Sequence, residues 1–227
     1  QALAGAQLEG EGWEDKPTTY YGLHTGIELA LGMRDPNVPS EVGVIGLGTG
    51  TLAAYGRPGD HFRYFEIDPA VIHLTQSGKY FTFLAHSKAK VEIIQGDGRI
   101  SLARERARNA PLFDYLIVDA YSSDAVPIHL LTREALALYV ETLAPDGFLA
   151  IHTSSRNFNL MPMLSRLAHD AGLHAVNLLN AEAPRHLTNP WNSTIDRARY
   201  ERRFRGHASC ARTRCFALVE RARCQSA

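Results

Sequence analysis

The sequence predicts an α/β protein built on a doubly wound, mostly parallel sheet. A continuous apolar run at 42–45 stops at a glycine-rich turn, and a second run at 61–67 ends in acidic residues. Apolar runs of strand length then alternate with helical patterns, which indicates parallel strands joined by helical crossovers. Sheets of this kind bind ligands beyond the carboxyl ends of their strands.

Each element follows from local signals. The continuous apolar run at 42–45 predicts a strand covered on both faces, and the loose alternation at 61–67 predicts a second strand. Further strands are predicted at 91–94, 113–118, 148–152, 173–179 and 215–220. Apolar residues at helical spacing predict helices at 25–33, 50–55, 69–76, 100–107, 132–143 and 160–171. Pro69 suits a first helical turn, Thr132 suits an N-cap, and Gly172 suits a helix end.

The domain organisation predicted from these signals is simple. Residues 1–40 form a lead-in and a short helix, and residues 41–227 form one ligand-binding domain with an irregular segment at 180–214. No helical pattern separates the last two strands. We therefore expect them to pair antiparallel at one edge of a seven-stranded sheet.

The amino-acid composition limits which binding partners this protein requires. The 227 residues carry a formal net charge of +0 with a pI near 7.3, so neither a nucleic acid nor an anionic membrane is required as a partner. Arginines crowd the C-terminal region, which fits either a solvated surface or a contact with a polyanion such as RNA. No apolar run approaches the roughly 20 residues that span a bilayer.

Cysteines and histidines give weaker signals. Cys210, Cys215 and Cys224 are odd in number and fit no usual zinc spacing, so we expect reduced thiols, a cytoplasmic location and no metal. His129 and His152 lie near strand ends and are interpreted as hydrogen-bonded structural residues.

A ligand-binding signal follows each of four predicted strands in succession, namely the glycine turn after the first strand and acidic residues after the next three. The glycine turn is succeeded by Glu66 and Asp68, then by Asp97, and then by Asp119 and Asp124. Any single acid at a strand end is equally well explained as a helix cap or turn. Four in a row predict a site at the carboxyl edge of the sheet, where Asp119 and Asp124 could bind ammonium groups and accept a proton.

The glycine turn has the spacing Gly46-x-Gly48-x-Gly50, with Thr49 inside it. It lacks the Gly-Lys-Ser/Thr of a Walker loop and departs from Gly-x-Gly-x-x-Gly. In this form it resembles the S-adenosylmethionine-binding loop of class I methyltransferase-like, Rossmann-like folds. Carboxylates around it would favour a positively charged sulfonium ligand.

The region from Val42 to about His152 resembles the spermidine synthases, which are polyamine aminopropyltransferases, and within them a bacterial synthase-like branch. The resemblance rests on the glycine turn, Phe65-Glu66-Ile67-Asp68-Pro69, Gly96-Asp97-Gly98, Val118-Asp119 with Asp124, and the stretch Pro127 to Glu134. It implies transfer of an aminopropyl group from decarboxylated S-adenosylmethionine to putrescine or a similar polyamine, without a metal.

The resemblance also implies roles for particular residues. Glu66 would hold the ribose, Asp119 would be the catalytic acid-base residue, and Asp124 would help to bind the amine. Tyr21 and His24 would lie on the substrate side. The remaining donor-binding residues would be Gly46, Gly48, Thr49, Gly50, Asp68, Asp97 and Gly98, with the adenine held by the last two.

Three departures from the family pattern keep alternatives open. Thr49 stands where the family carries an aspartate that recognises the amine of the donor, Asp124 comes two positions late, and the family's N-terminal β-hairpin domain is not recognisable in the first forty residues. A methyltransferase using intact S-adenosylmethionine and a non-catalytic nucleoside-binding module are the alternatives. Homodimer formation also stays open.

Overall fold

A single sheet organises the chain. The computed structural model describes residues 5–10, 12–22, 25–121, 126–153, 159–182, 193–194 and 215–221. The strands are β1 Glu41–Ile45, β2 His61–Glu66, β3 Lys90–Gln95, β4 Phe113–Val118, β5 Leu143–His152, β6 His174–Glu182, β7 Ser193–Thr194 and β8 Cys215–Arg221.

Helices connect most of these strands. They are α1 Gly26–Gly32, α2 Pro69–Gln76, α3 Phe83–His86, α4 Gly98–Ala107, α5 Arg133–Thr142 and α6 Met161–Asp170, with 3-10 turns at Thr19–Tyr21, Thr51–Tyr55 and Ile128–Leu130. The predicted caps are confirmed in part: Pro69 begins α2, and the Thr132 hydroxyl accepts the Ala135 amide at the start of α5. Among the described residues, none of these helices combines the length and apolarity needed to cross a bilayer.

The strand order places the candidate site. It runs β3-β2-β1-β4-β5-β8-β6-β7, and the chain changes direction across the sheet between β1 and β4. β1 pairs in parallel with both β2 and β4, with Ile45 opposite Phe65 and Val118. The residues that follow these three strands therefore emerge side by side at one edge of the sheet, at the point where ligands bind in open α/β sheets.

Two apolar layers cover the two faces of the sheet, which confirms the doubly wound prediction. One layer joins Leu116 and Val118 of β4 to Tyr139 of α5, all three fully buried. The other joins Val44 of β1 to Leu31 of α1. Full burial of each large apolar side chain contributes on the order of 1.5–3 kcal/mol, which explains why the central strands are apolar on both faces.

The prediction of a seven-stranded sheet with an antiparallel last strand was wrong. β8 lies inside the sheet and pairs in parallel with both β5 and β6. The described residues form eight strands of this sheet, of which β3-β2-β1-β4-β5 form the continuous parallel core. The antiparallel pairing in the described residues joins the two-residue β7 to β6. A parallel return needs a connection of a dozen or more residues, and the long stretch between β6 and β8 supplies that length.

The fifth strand begins earlier than predicted. β5 starts at Leu143 and runs through the expected turn at 145–147, with a register shift against β4 between Phe113 and Tyr115. The backbone of Gly147 approaches the Phe113 carbonyl so closely that a Cβ would lie 2.8 Å from its oxygen. A glycine at this irregularity allows the close approach, so the Pro-Asp-Gly sequence bends the strand without ending it.

One sequence prediction lies largely outside the described residues, and another stays untested. The irregular segment 180–214 is described only at 180–182 and at Ser193–Thr194, and the division of the chain at residue 40 stays a prediction. Helix α1 belongs to the same apolar layer as β1, because Ile27, Ala30 and Leu31 are buried against it.

Candidate functional site

The glycine turn follows β1 and contacts the end of β4. Gly46 has a φ of 98°, and a Cβ on it would lie 2.5 Å from the backbone oxygen of Asp119. Because that neighbour is backbone and cannot rotate away, position 46 requires glycine. The turn therefore lies directly beside the residue that follows β4, and Gly48 and Gly50 carry it on into the Thr51–Tyr55 turn.

Glu66 holds the glycine turn from the end of β2. Its side chain is almost completely buried, and its two carboxylate oxygens accept the backbone amides of Leu47 (2.9 Å) and Asp68 (2.8 Å). Each carboxylate oxygen has two lone pairs, so each still has room for one more donor, such as a ribose hydroxyl. Glu66 is therefore placed both to fix the turn and to bind a ligand beside it.

Asp97 begins α4 and is paired with a histidine. One carboxylate oxygen accepts the Ile100 amide at 2.9 Å, and the other lies 2.9 Å from His129 Nε2. Burial alone would raise the pKa of Asp97, but these two hydrogen bonds, together with the charge of His129 and the Arg99 amide, hold the pKa below its ordinary value. Asp97 therefore lies at the carboxyl edge of the sheet as a carboxylate whose acceptor positions are partly occupied.

Gly98 has a packing role in this structure. A Cβ on it would lie 2.5 Å from Ile45 Cγ2, so its lack of a side chain lets the N-terminus of α4 lie against the end of β1. That contact brings Asp97 close to the glycine turn. Asp68, in contrast, is exposed, and its carboxylate accepts the Ala70 amide as the N-cap of α2.

Thr49 is covered by the N-terminal segment. The chain at Gly5 passes so close to its hydroxyl that Gly5 has no space for a side chain, and that hydroxyl hydrogen-bonds with Thr51 Oγ1 at 2.7 Å. Gln7 fastens the same segment through reciprocal bonds with Thr82, of 2.6 and 2.9 Å. The N-terminal residues thus form one wall of the glycine turn.

Asp119 makes a contact through each of its two carboxylate oxygens. Its side chain is 4% exposed, one oxygen accepts the Tyr21 hydroxyl, and the other lies 2.7 Å from His152 Nδ1. The Tyr55 hydroxyl in turn donates to the Tyr21 carbonyl, which fixes the 3-10 turn that delivers Tyr21. Tyr21, predicted on the substrate side, therefore meets the predicted catalytic acid directly.

His152 contacts the predicted catalytic residue Asp119, whereas the sequence analysis interpreted it as a structural histidine. It ends β5, and its ring packs edge-on against Tyr121 with the centroids 4.9 Å apart. The only sequence signal was its place directly after an apolar strand, which a structural histidine shares. Because β4 and β5 are neighbours in the sheet, His152 at the end of β5 contacts Asp119 directly after β4.

Two predicted site residues lie outside the described residues, namely Asp124 and His24. Within the described part of the chain, no three His, Cys, Asp or Glu side chains are grouped closely enough to hold a metal ion.

Comparison with known proteins gives two partial relatives. A polyamine aminopropyltransferase of Vibrio vulnificus (strain CMCP6) is 31% identical over 120 residues, covering 52% of this chain and 38% of that protein. An N-terminal histidine N-methyltransferase of Emericella nidulans is 32% identical over 130 residues, covering 56% of this chain and 22% of that protein. This chain thus spans well under half the length of either relative. No protein-family model matches it.

A solved structure supports the fold. Human methyltransferase-like protein 13 in complex with SAH superposes with a TM-score of 0.52 at 19% identity, over 63% of this chain and 69% of that one. At this identity the likeness concerns the fold alone. The chain therefore has an α/β, Rossmann-like fold of the kind found in methyltransferases.

Proposed function

We propose that this protein is a transferase that moves an aminopropyl group from decarboxylated S-adenosylmethionine to a polyamine such as putrescine. The observation that carries the proposal is the buried carboxylate of Asp119, which lies beside the glycine turn and accepts the Tyr21 hydroxyl. The similarity to the Vibrio aminopropyltransferase supports the same reaction.

In the proposed reaction, Glu66 and Asp97 hold the donor through its ribose and adenine. The acceptor amine is protonated in water and must lose a proton before it can react. Asp119 takes that proton, so that the nitrogen lone pair can form a bond to the propyl carbon next to sulfur. The carbon–sulfur bond breaks, and sulfur keeps the electron pair as the neutral thioether of methylthioadenosine. The carboxylates favour the positive charges of both reactants.

A second candidate is methyl transfer from intact S-adenosylmethionine. The observation that favours it is Thr49, which is 7% exposed, neutral and hydrogen-bonded to Thr51. A threonine at this position of the turn does not repel the carboxylate that only the intact donor carries. The similarity to the Emericella methyltransferase favours the same alternative.

A product assay separates the two candidates. We expect decarboxylated S-adenosylmethionine with putrescine to yield spermidine and methylthioadenosine in equal amounts, as measured by mass spectrometry. The intact donor with the same amine should give no methylated product. Methylation by the intact donor would favour the second candidate, and binding of methylthioadenosine without turnover of either donor would indicate a non-catalytic module.

The Thr49→Asp variant sharpens the assay. A carboxylate at this position would attract the amine of the decarboxylated donor and repel the carboxylate of the intact one. The ratio of kcat/KM for the decarboxylated over the intact donor should therefore rise about tenfold, or roughly 1.4 kcal/mol, because attraction of one donor and repulsion of the other change the ratio in the same direction. An unchanged ratio would indicate that neither the amine of the decarboxylated donor nor the carboxylate of the intact donor lies near position 49.

A further inference from the structure

We infer that His152 is a positioning residue, whose imidazole holds the carboxylate of Asp119 directed at the reacting amine. The inference rests on the proposed function and adds a residue to it. His152 and Asp119 directly follow the paired residues Ile151 and Val118 of the neighbouring parallel strands β5 and β4. They therefore emerge side by side, with His152 Nδ1 and Asp119 Oδ1 2.7 Å apart.

Hydrogen-bond chemistry sets the direction of this contact. An ionised carboxylate only accepts, so Nδ1 of His152 must carry the proton in the pair. The Tyr21 hydroxyl donates to the other oxygen of Asp119. Two donors, one on each oxygen, fix the orientation of the buried carboxylate that takes the proton from the amine. Each oxygen keeps a lone pair for that proton.

The environment of His152 fixes the ring. Its side chain is 10% exposed, and Tyr121 contacts the ring and donates its hydroxyl to the carbonyl of His152 at 2.9 Å. Because Tyr121 contacts both the ring and the backbone carbonyl of His152, the ring can keep one orientation through a reaction cycle.

The titratable groups around the pair are few among the described residues. Asp119 and Tyr121 contact His152, Tyr21 faces it across Asp119, and Tyr55 lies behind Tyr21. Burial, together with the charge of Glu28, raises the pKa of Tyr55, so that phenol stays neutral across the working range. Tyr55 therefore remains a donor to the Tyr21 carbonyl, which keeps Tyr21 beside Asp119.

Two variants separate positioning from packing. His152→Leu fills much of the volume without a donor, whereas His152→Asn offers a side-chain N–H near the place of Nδ1. His169→Gln is the control, because it removes an imidazole that is 82% exposed on α6. All are assayed with the donor and acceptor that the wild-type protein turns over.

We expect His152→Leu to lower kcat by about 10- to 100-fold, the size of a lost hydrogen bond to a charged group. KM and the affinity for methylthioadenosine should stay within about threefold. His152→Asn should recover most of kcat, and His169→Gln should change nothing.

Two results would overturn the inference. One is a His152→Leu protein with unchanged kcat. The other is an equal loss of kcat in the His152→Leu and His152→Asn variants that follows a loss of thermal stability. Ring-nitrogen NMR of His152 gives a readout that is independent of turnover. The wild-type ring should carry its proton on Nδ1, and Asp119→Ala should abolish that preference.

The NMR readout also distinguishes failure of the proposed function from failure of the positioning role of His152. An Nδ1–H ring in a protein that turns over neither donor would remove the proposed function while keeping the contact. A ring protonated on Nε2 alone would remove the positioning role, whatever the reaction.

Discussion

Asp119→Asn is expected to lower kcat about 1,000-fold, within the range of roughly 10²–10⁴ for loss of a general base. The amide keeps the size of the carboxylate and can still accept the Tyr21 hydroxyl, but it cannot take a proton from the amine. Steady-state assays with the preferred donor measure the loss. Affinity for methylthioadenosine, measured by calorimetry, should stay within about tenfold, or 1.4 kcal/mol.

The matched control is Asp146→Asn, which makes the same change at an exposed position at the start of β5. It should leave kcat within about twofold, as surface substitutions usually do. An Asp119→Asn protein with wild-type turnover would remove Asp119 from the mechanism. A fall in methylthioadenosine affinity as large as the fall in kcat would instead make Asp119 a binding residue.

Asp60→Asn is expected to destabilise the fold by about 3–5 kcal/mol, the cost of breaking a buried ion pair. The Asp60 side chain is fully buried and accepts Arg34 Nη1 at 2.7 Å, Arg57 Nε at 3.1 Å and the Ser40 amide at 2.9 Å. The neutral variant leaves the buried Arg34 guanidinium without its counter-charge. Thermal unfolding should show a fall in Tm of roughly 10 °C, against little change for Asp146→Asn.

The same cluster predicts a pH dependence of stability. Burial alone would raise the pKa of Asp60, but hydrogen bonds from Arg57 and Ser40, with the charge of Arg34, bring the net pKa below its ordinary value. Its stabilisation is therefore complete above the unfolded pKa of about 3.9 and is lost as the pH falls toward the lower folded value. In Asp60→Asn this part of the acid destabilisation should disappear. An equal loss of stability with falling pH in the wild-type and Asp60→Asn proteins would contradict this role of Asp60.

Residues directly after strands were predictable from sequence. Glu66, Asp97 and Asp119 follow apolar runs, and carboxyl ends of parallel strands share one edge, so their placement needed no knowledge of strand order. Gly46 was identified by the same logic. The structure adds that Asp97 is also a helix cap paired with His129, so the functional and capping interpretations apply to one side chain.

Features set by strand order were not predictable. The meeting of His152 and Asp119 depends on β5 lying beside β4, and sequence spacing does not contain that adjacency. The parallel pairing of β8 depends likewise on a long-range return of the chain. Non-local pairing is decided by burial across the whole sheet, which local propensity does not report.

The central claim is that the carboxyl edge of the sheet holds an adenosine-bearing sulfur compound between the glycine turn and Glu66. Calorimetric titration with methylthioadenosine tests it most directly, because both candidate donors contain this nucleoside. We expect one molecule to bind per chain, with at least tenfold weaker binding to Glu66→Gln, since a good hydrogen bond to a carboxylate contributes about 1.5–3 kcal/mol. Absence of binding to the folded wild-type protein, or equal binding to Glu66→Gln, would contradict the account.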